Sequence, residues 1–87
     1  MIAKRKVTEN VKSLLKEKFI IYPQRIYNSF DLRNDLDLEN NEMNILLFYV
    51  ENFFHIEIAK TEEDSIHQVG DLSRLVCQKL NMLSAAA

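Results

Sequence analysis

The chain has 87 residues, enough for one small domain that buries roughly 60–65% of its unfolded surface. Hydrophobic residues make up 47% and charged residues 28%, a globular composition rather than a disordered one, and one Gly and one Pro disfavour an all-β fold with many tight turns. A single Cys excludes an internal disulfide framework and a cysteine-rich zinc site, and a net charge of −2 is too small to indicate a nucleic-acid binder.

Residues 1–20 carry six Lys/Arg and two Glu. Among them Val7, Val11, Leu14, Leu15 and Phe19 fall at i, i+4, i+7, i+8 and i+12, one stripe of an α-helix. The spacing predicts a helix over about 8–19, with Thr8 capping its start and Pro23 beyond its end. The basic residues lie between the apolar positions and read as its solvated face rather than as a phosphate or membrane contact.

Residues 20–38 read as a long connection. Pro23, Asn28, Ser29, Asn34 and several Asp interrupt any sustained period. Ile21, Ile26, Phe30, Leu32, Leu36 and Leu38 are spaced through it, which suggests a loop pinned onto the core. Loops of this length without regular structure are uncommon in compact domains and are often functional.

The next segment is ambiguous by composition. Ile45 to Val50 is six apolar residues in a row, as a buried strand would be. A helix is favoured by Asn40 and Asn41 as N-cap candidates and by Glu42 in the first turn. The stripe of Leu46, Val50, Phe53 and Phe54 and the length of the segment point the same way. Residues 31–64 hold ten Asp/Glu and only Arg33 and Lys60, so this segment sits in a strongly acidic stretch. That setting makes a basic partner worth considering.

Ile56 and Ile58 flank Glu57, and one helical turn is expected from Thr61. Val69, Leu72, Leu75, Val76 and Leu80 form the last helical stripe, with Asp71 in its first turn and Arg74 and Lys79 toward its end. Residues 83–87 read as a tail. The expected architecture is an all-α bundle, a single domain over 1–87 with its core in about 7–82.

Little points to catalysis. His55 and His67 have no ligand or triad spacing and read as surface residues, and Cys77 beside Leu75 and Val76 reads as a small, at least half-buried thiol. There is no Gly-rich phosphate loop. No enzyme activity and no metal are expected. No apolar run approaches a membrane span, and none follows Lys4-Arg5-Lys6 as a secretory signal requires, so a cytoplasmic monomer without membrane contact is the expectation.

Three segments together resemble the acyl carrier protein family. Asp35-Leu36-Asp37-Leu38-Glu39-Asn40-Asn41-Glu42 is similar to the family's D-L-G-L-D-S-L-D. Glu51-Asn52-Phe53-Phe54-His55-Ile56-Glu57-Ile58 is similar to E-E-x-F-G-I-E-I, and Ser65-Ile66-His67-Gln68-Val69-Gly70-Asp71-Leu72 to K-I-x-T-V-G-D-L. The pattern runs from Val7 to Leu80 without a gap. The resemblance implies a right-handed four-helix bundle with a long first loop and a short third helix.

It also implies a site that this chain lacks. The family's Ser in D-S-L attacks the pyrophosphate of coenzyme A and thereby carries 4′-phosphopantetheine. Here that position is Asn40, within Glu39-Asn40-Asn41. A carboxamide nitrogen is delocalised into its carbonyl and is no such nucleophile, so no cofactor is expected and Asn40 is expected to cap the second helix. Asp64-Ser65-Ile66 resembles D-S-L locally, but only the last helix follows it, which makes Ser65 a weak substitute.

In the family the second helix is the partner surface, with acidic side chains meeting Lys/Arg and apolar residues between them. Glu39, Glu42 and Glu51 keep acids there, Asn41, Ile45 and Asn52 depart from the pattern, and Phe48 stands at an apolar contact position. Ile45 and Phe48 can be read as partner contacts or as anchors packed under the long loop. The resemblance thus implies a non-modified acyl-carrier-like protein that binds a synthase, ligase or acyltransferase with a basic and apolar docking surface. A carrier modified elsewhere, or a structural or regulatory subunit unrelated to acyl transfer, are the alternatives.

Overall fold

A computed structural model describes residues 3–19 and 25–86. Ile21 and Pro23 of the long connection lie outside the described residues. Four helices and no strand occur among them: α1 (Lys4–Lys18), α2 (Asn40–Phe54), α3 (Lys60–Glu63) and α4 (Val69–Ala86). The chain is an all-α bundle in which α1 packs against both α2 and α4.

The stripe in α1 buries Val7, Val11, Leu14 and Leu15. Its start lies earlier than the spacing predicts. Lys4, Arg5 and Lys6 are adequate helix formers with nothing to break them, and the carbonyl of Ala3 accepts the N–H groups of Lys6 and Val7 at 3.1 and 3.3 Å. Thr8 therefore lies inside the helix, turned toward the core, and does not cap it.

The six-residue apolar run is helical. Met43, Leu46, Leu47 and Val50 of α2 are buried, meeting Val11 and Leu15 of α1 and Leu72 and Val76 of α4 in one core cluster. Each such side chain contributes about 1.5–3 kcal/mol through burial. The expected cap is displaced by one residue. Glu39 is the N-cap, and its N–H donates to Oε1 of Glu42 at 3.0 Å. Asn40 is the first helical residue and exposed, so it does not cap. A carboxylate three residues on reaches back to the N-cap N–H, and that contact outweighs the stronger intrinsic capping preference of Asn.

Beyond α2, His55 adopts a left-handed conformation (φ 56°, ψ 50°), and Ile56 and Ile58 then turn into the core. Oε2 of Glu51 accepts the N–H of Ile58 at 3.0 Å and holds this turn to α2. The short α3 buries nothing of its own. Glu62 ties it down: Oε1 accepts the N–H of Ala59 at 2.8 Å and meets Nζ of Lys79 on α4 at 2.8 Å. The Lys79 contact, followed by the Ala59 N–H, lowers the pKa of Glu62 from its ordinary value.

The long connection is pinned as its spacing suggests. Ile26, Leu32, Leu36 and Leu38 are buried. Asp31 organises it locally, its Oδ1 accepting the N–H groups of Arg33 and Asn34, both at 2.9 Å. A backbone seam then joins it to the start of α4. The N–H of Leu32 donates to the carbonyl of His67 at 2.9 Å, that of Val69 to Phe30 at 3.0 Å, and that of Gly70 to Asn28 at 2.9 Å. The loop carbonyls thus satisfy first-turn N–H groups of α4 that no helical partner could reach.

Oδ2 of Asp71 completes that helix start, accepting the N–H of Gln68 at 2.9 Å and of His67 at 3.2 Å. These bonds, Gln68 first, hold its pKa below the ordinary value, with Arg74 adding attraction. A carboxyl favoured as the anion in the folded state stabilises it above the unfolded-state pKa, and this contribution disappears as pH falls through the folded value. Urea melts at pH 7 and pH 3 are expected to show less loss of stability on acidification in Asp71→Asn than in the parent.

At the other end α4 runs to Ala86, well past the Leu80 that ends its stripe. Residues 81–86 include no Gly or Pro, and Ala is the best helix former, so the residues read as a tail extend the helix to Ala86. Among the described residues no helix is long and apolar enough to cross a membrane.

Candidate functional site

The expected site residues gather on the start and outer face of α2. Asn41, Ile45, Phe48 and Asn52 recur at i, i+4, i+7 and i+11, one helical stripe, and all four are exposed. Ile45 is 44% and Phe48 61% exposed. The reading that packs these two under the long loop is therefore overturned. The loop supplies its own anchors in Leu32, Leu36 and Leu38, while Leu46, Leu47 and Val50 turn the opposite side of α2 into the core.

The acids behave differently. Glu42 and Glu51 are half-buried, and each spends a carboxylate oxygen on the chain's own backbone, at Glu39 and Ile58. Asn52 is also engaged, its Nδ2 donating to the carbonyl of Phe48 at 2.8 Å. Glu39 is exposed at the helix start beside the exposed Asp35 and Asp37.

Asn40 stands at the exposed first turn of α2. Its carboxamide does not fit the attachment chemistry of a phosphopantetheine arm, which needs a hydroxyl nucleophile. Ser65, the other serine in a D-S-L-like setting, is exposed. It lies in the turn after α3, with Oγ donating to the carbonyl of Glu62 at 2.8 Å.

Two further features escape sequence reasoning. The first is a polar pocket of about 140 Å³ between α2 and the turn into α4, lined by Arg33, Met43, Asn44, Leu47, Asp64 and His67 among others. The second is an open groove of about 700 Å³ between His55–Glu57 and the side chains of Lys79, Met82 and Leu83 on α4. Both depend on how turns fold back against helices, which no spacing encodes. The aromatic residues are less buried than core positions would be: Phe53 is 51% exposed and meets Phe54 edge-on at 4.9 Å. Phe53 stands in the last turn of α2. Cys77 is half-buried, and His55 and His67 are exposed. Among the described residues no cluster of His, Cys, Asp and Glu is placed to hold a metal ion.

No known family profile matches the chain, and no curated protein matches it.

Proposed function

We propose that the chain is an acyl-carrier-like protein that carries no prosthetic group and acts by docking a partner enzyme of acyl metabolism through α2. The observation that carries this reading concerns backbone shape at three positions where the family pattern has glycine. Two of them, Asp37 and His55, are the non-glycine residues with positive φ among the described residues, at 58° and 56°. The left-handed region is where glycine is at home, and Asp and His are among the few other residues that enter it readily. The third position keeps its glycine, Gly70, for a different reason. A Cβ there would lie 3.1 Å from the carbonyl oxygen of Asn28 and 3.3 Å from its Cβ. Glycine is thus replaced where only the backbone angle matters and retained where space is lacking, as a chain drifting from the acyl-carrier pattern would do.

The same argument predicts opposite signs for simple substitutions. Asp37→Gly and His55→Gly are each expected to raise stability by about 0.5–1 kcal/mol, relief of left-handed strain exceeding the added freedom of the unfolded chain. Gly70→Ala is expected to lower it by about 1 kcal/mol, because the Asn28 carbonyl it crowds is held by the N–H of Gly70 itself and helix propensity offsets only part of the strain. Thermal and urea melts of the three variants measure this, and a stabilised Gly70→Ala would remove the argument from retained glycine.

The docking part rests on exposed Ile45 and Phe48. Incubation with coenzyme A and a broad-specificity phosphopantetheinyl transferase is expected to leave the intact mass unchanged. A gain of one phosphopantetheine would overturn the non-carrier reading, and mapping it to Ser65 would move the site to the α3–α4 turn.

A further inference from the structure

The exposed faces of α1 and α2 differ in kind. Apart from Ser13, every exposed residue of α1 is charged. On α2 none is: the exposed positions are Asn, Ile or Phe, and Glu42 and Glu51 are half-buried and bonded to the backbone. In a chain with 28% charged residues, this face has the composition of an interface centre, depleted in charge and holding an aromatic side chain. Charge stands around this face rather than on it: exposed Asp35, Asp37 and Glu39 at its N-terminal end, exposed Glu57 just beyond its C-terminal end, and Lys18 of α1 with Nζ 5.0 Å from the centroid of the Tyr49 ring.

We infer that the partner's affinity for α2 resides in an uncharged contact: Phe48 and Ile45 enter an apolar groove on a protein, whose basic side chains are confined to the rim facing Asp35, Asp37 and Glu39. This rests on the docking role of α2 and specifies its chemistry. Ile45 and Phe48 stand one turn apart, the spacing with which a helix presents anchors to a groove. Phe48, 61% exposed, has the most apolar surface of α2 to lose to a partner. Asn41 and Asn44 beside them can pair with backbone groups at the groove's edge without the desolvation that a charge would incur. Glu42 and Glu51, the acids within α2 itself, are half-buried and already hydrogen-bonded to the backbone. A membrane is disfavoured as the occupant, since the acidic end of the face would meet anionic headgroups with like charge. A protein with a basic rim satisfies both ends. Rim charges accelerate encounter and are screened by salt, whereas the apolar centre governs dissociation.

The test begins with affinity capture on the immobilised parent, Phe48→Ala and Ile45→Ala chains from an extract of the cells that make the protein. A protein retained by the parent and released by Phe48→Ala is then expressed, purified and titrated calorimetrically at 0.05 and 0.5 M NaCl. Phe48→Ala is expected to weaken binding at least tenfold, and the tenfold increase in salt to change it less than threefold. Phe48 is exposed, so the variant should fold, and its circular dichroism melt verifies this. Binding lost with Phe48→Ala but weakened tenfold or more by salt would overturn the uncharged contact and leave docking through α2 standing. Retention independent of both Phe48 and Ile45, or no protein retained by the parent alone, would overturn both. Phe48-dependent dimerisation in sedimentation, or Phe48-dependent binding to anionic vesicles, would replace the groove partner with a second copy or a lipid surface.

Discussion

The variant Asn40→Ser/Asn41→Leu/Ile45→Glu is expected to accept phosphopantetheine from coenzyme A on a broad-specificity transferase, on the order of ten times faster than Asn40→Ser alone. The single change restores a hydroxyl at the exposed first turn of α2 but leaves the face around it altered. Asn41→Leu returns an apolar contact beside the hydroxyl, which slows dissociation, and Ile45→Glu returns an acid, which speeds encounter with a basic enzyme. All three positions are exposed, so the substitutions should leave the core intact. A time course by intact-mass spectrometry at fixed enzyme and moderate salt reads the rates. Equal rates for the single and triple variants would mean that the recognition face was never lost. No modification of either would count heavily against carrier ancestry.

Leu32→Ala should destabilise the protein by about 2–5 kcal/mol, a cost usual for a helix core and unusual for a loop. Leu32 is fully buried, and its N–H forms one of the seam bonds, so the truncated side chain leaves a cavity beside an ordered backbone. Set against a total of about 5–15 kcal/mol for a domain, that loss would bring unfolding close to ambient temperature. Chemical denaturation of Leu32→Ala beside Arg33→Ala, an exposed neighbour in the same loop, makes the comparison. A loss below about 0.5 kcal/mol for both, the range of ordinary surface substitutions, would show that the connection is not part of the core.

How far the sequence reveals the fold differs by element. In α1 the stripe is legible because apolar residues recur with the helical period among charged ones. Its start is not, because three basic residues carry no signal of where a helix begins. In α2 the six-residue apolar run hides its own orientation: with Ile45 through Val50 all apolar, periodicity cannot tell which side faces in. Packing decides, burying Leu46, Leu47 and Val50 and leaving Ile45 and Phe48 outside. The candidate face was therefore readable as a set of residues but not as a surface. The Glu39–Glu42 contact loses to the Asn pair in any ranking by residue type, although its three-residue spacing was available. The left-handed positions of Asp37 and His55 become visible only against a pattern that has glycine there.

The seam between the loop and the start of α4 also determines the path of mechanical load. Its bonds join Asn28 to Gly70, Phe30 to Val69 and Leu32 to His67, so α2 and α3 lie within a closed loop whose neck is made of backbone hydrogen bonds. Tension applied to the chain outside that neck passes from α1 across the seam into α4. The backbone of α2 lies off that route until the neck opens, so load reaches the helix that presents Ile45 and Phe48 only through its side-chain packing against α1 and the shared core.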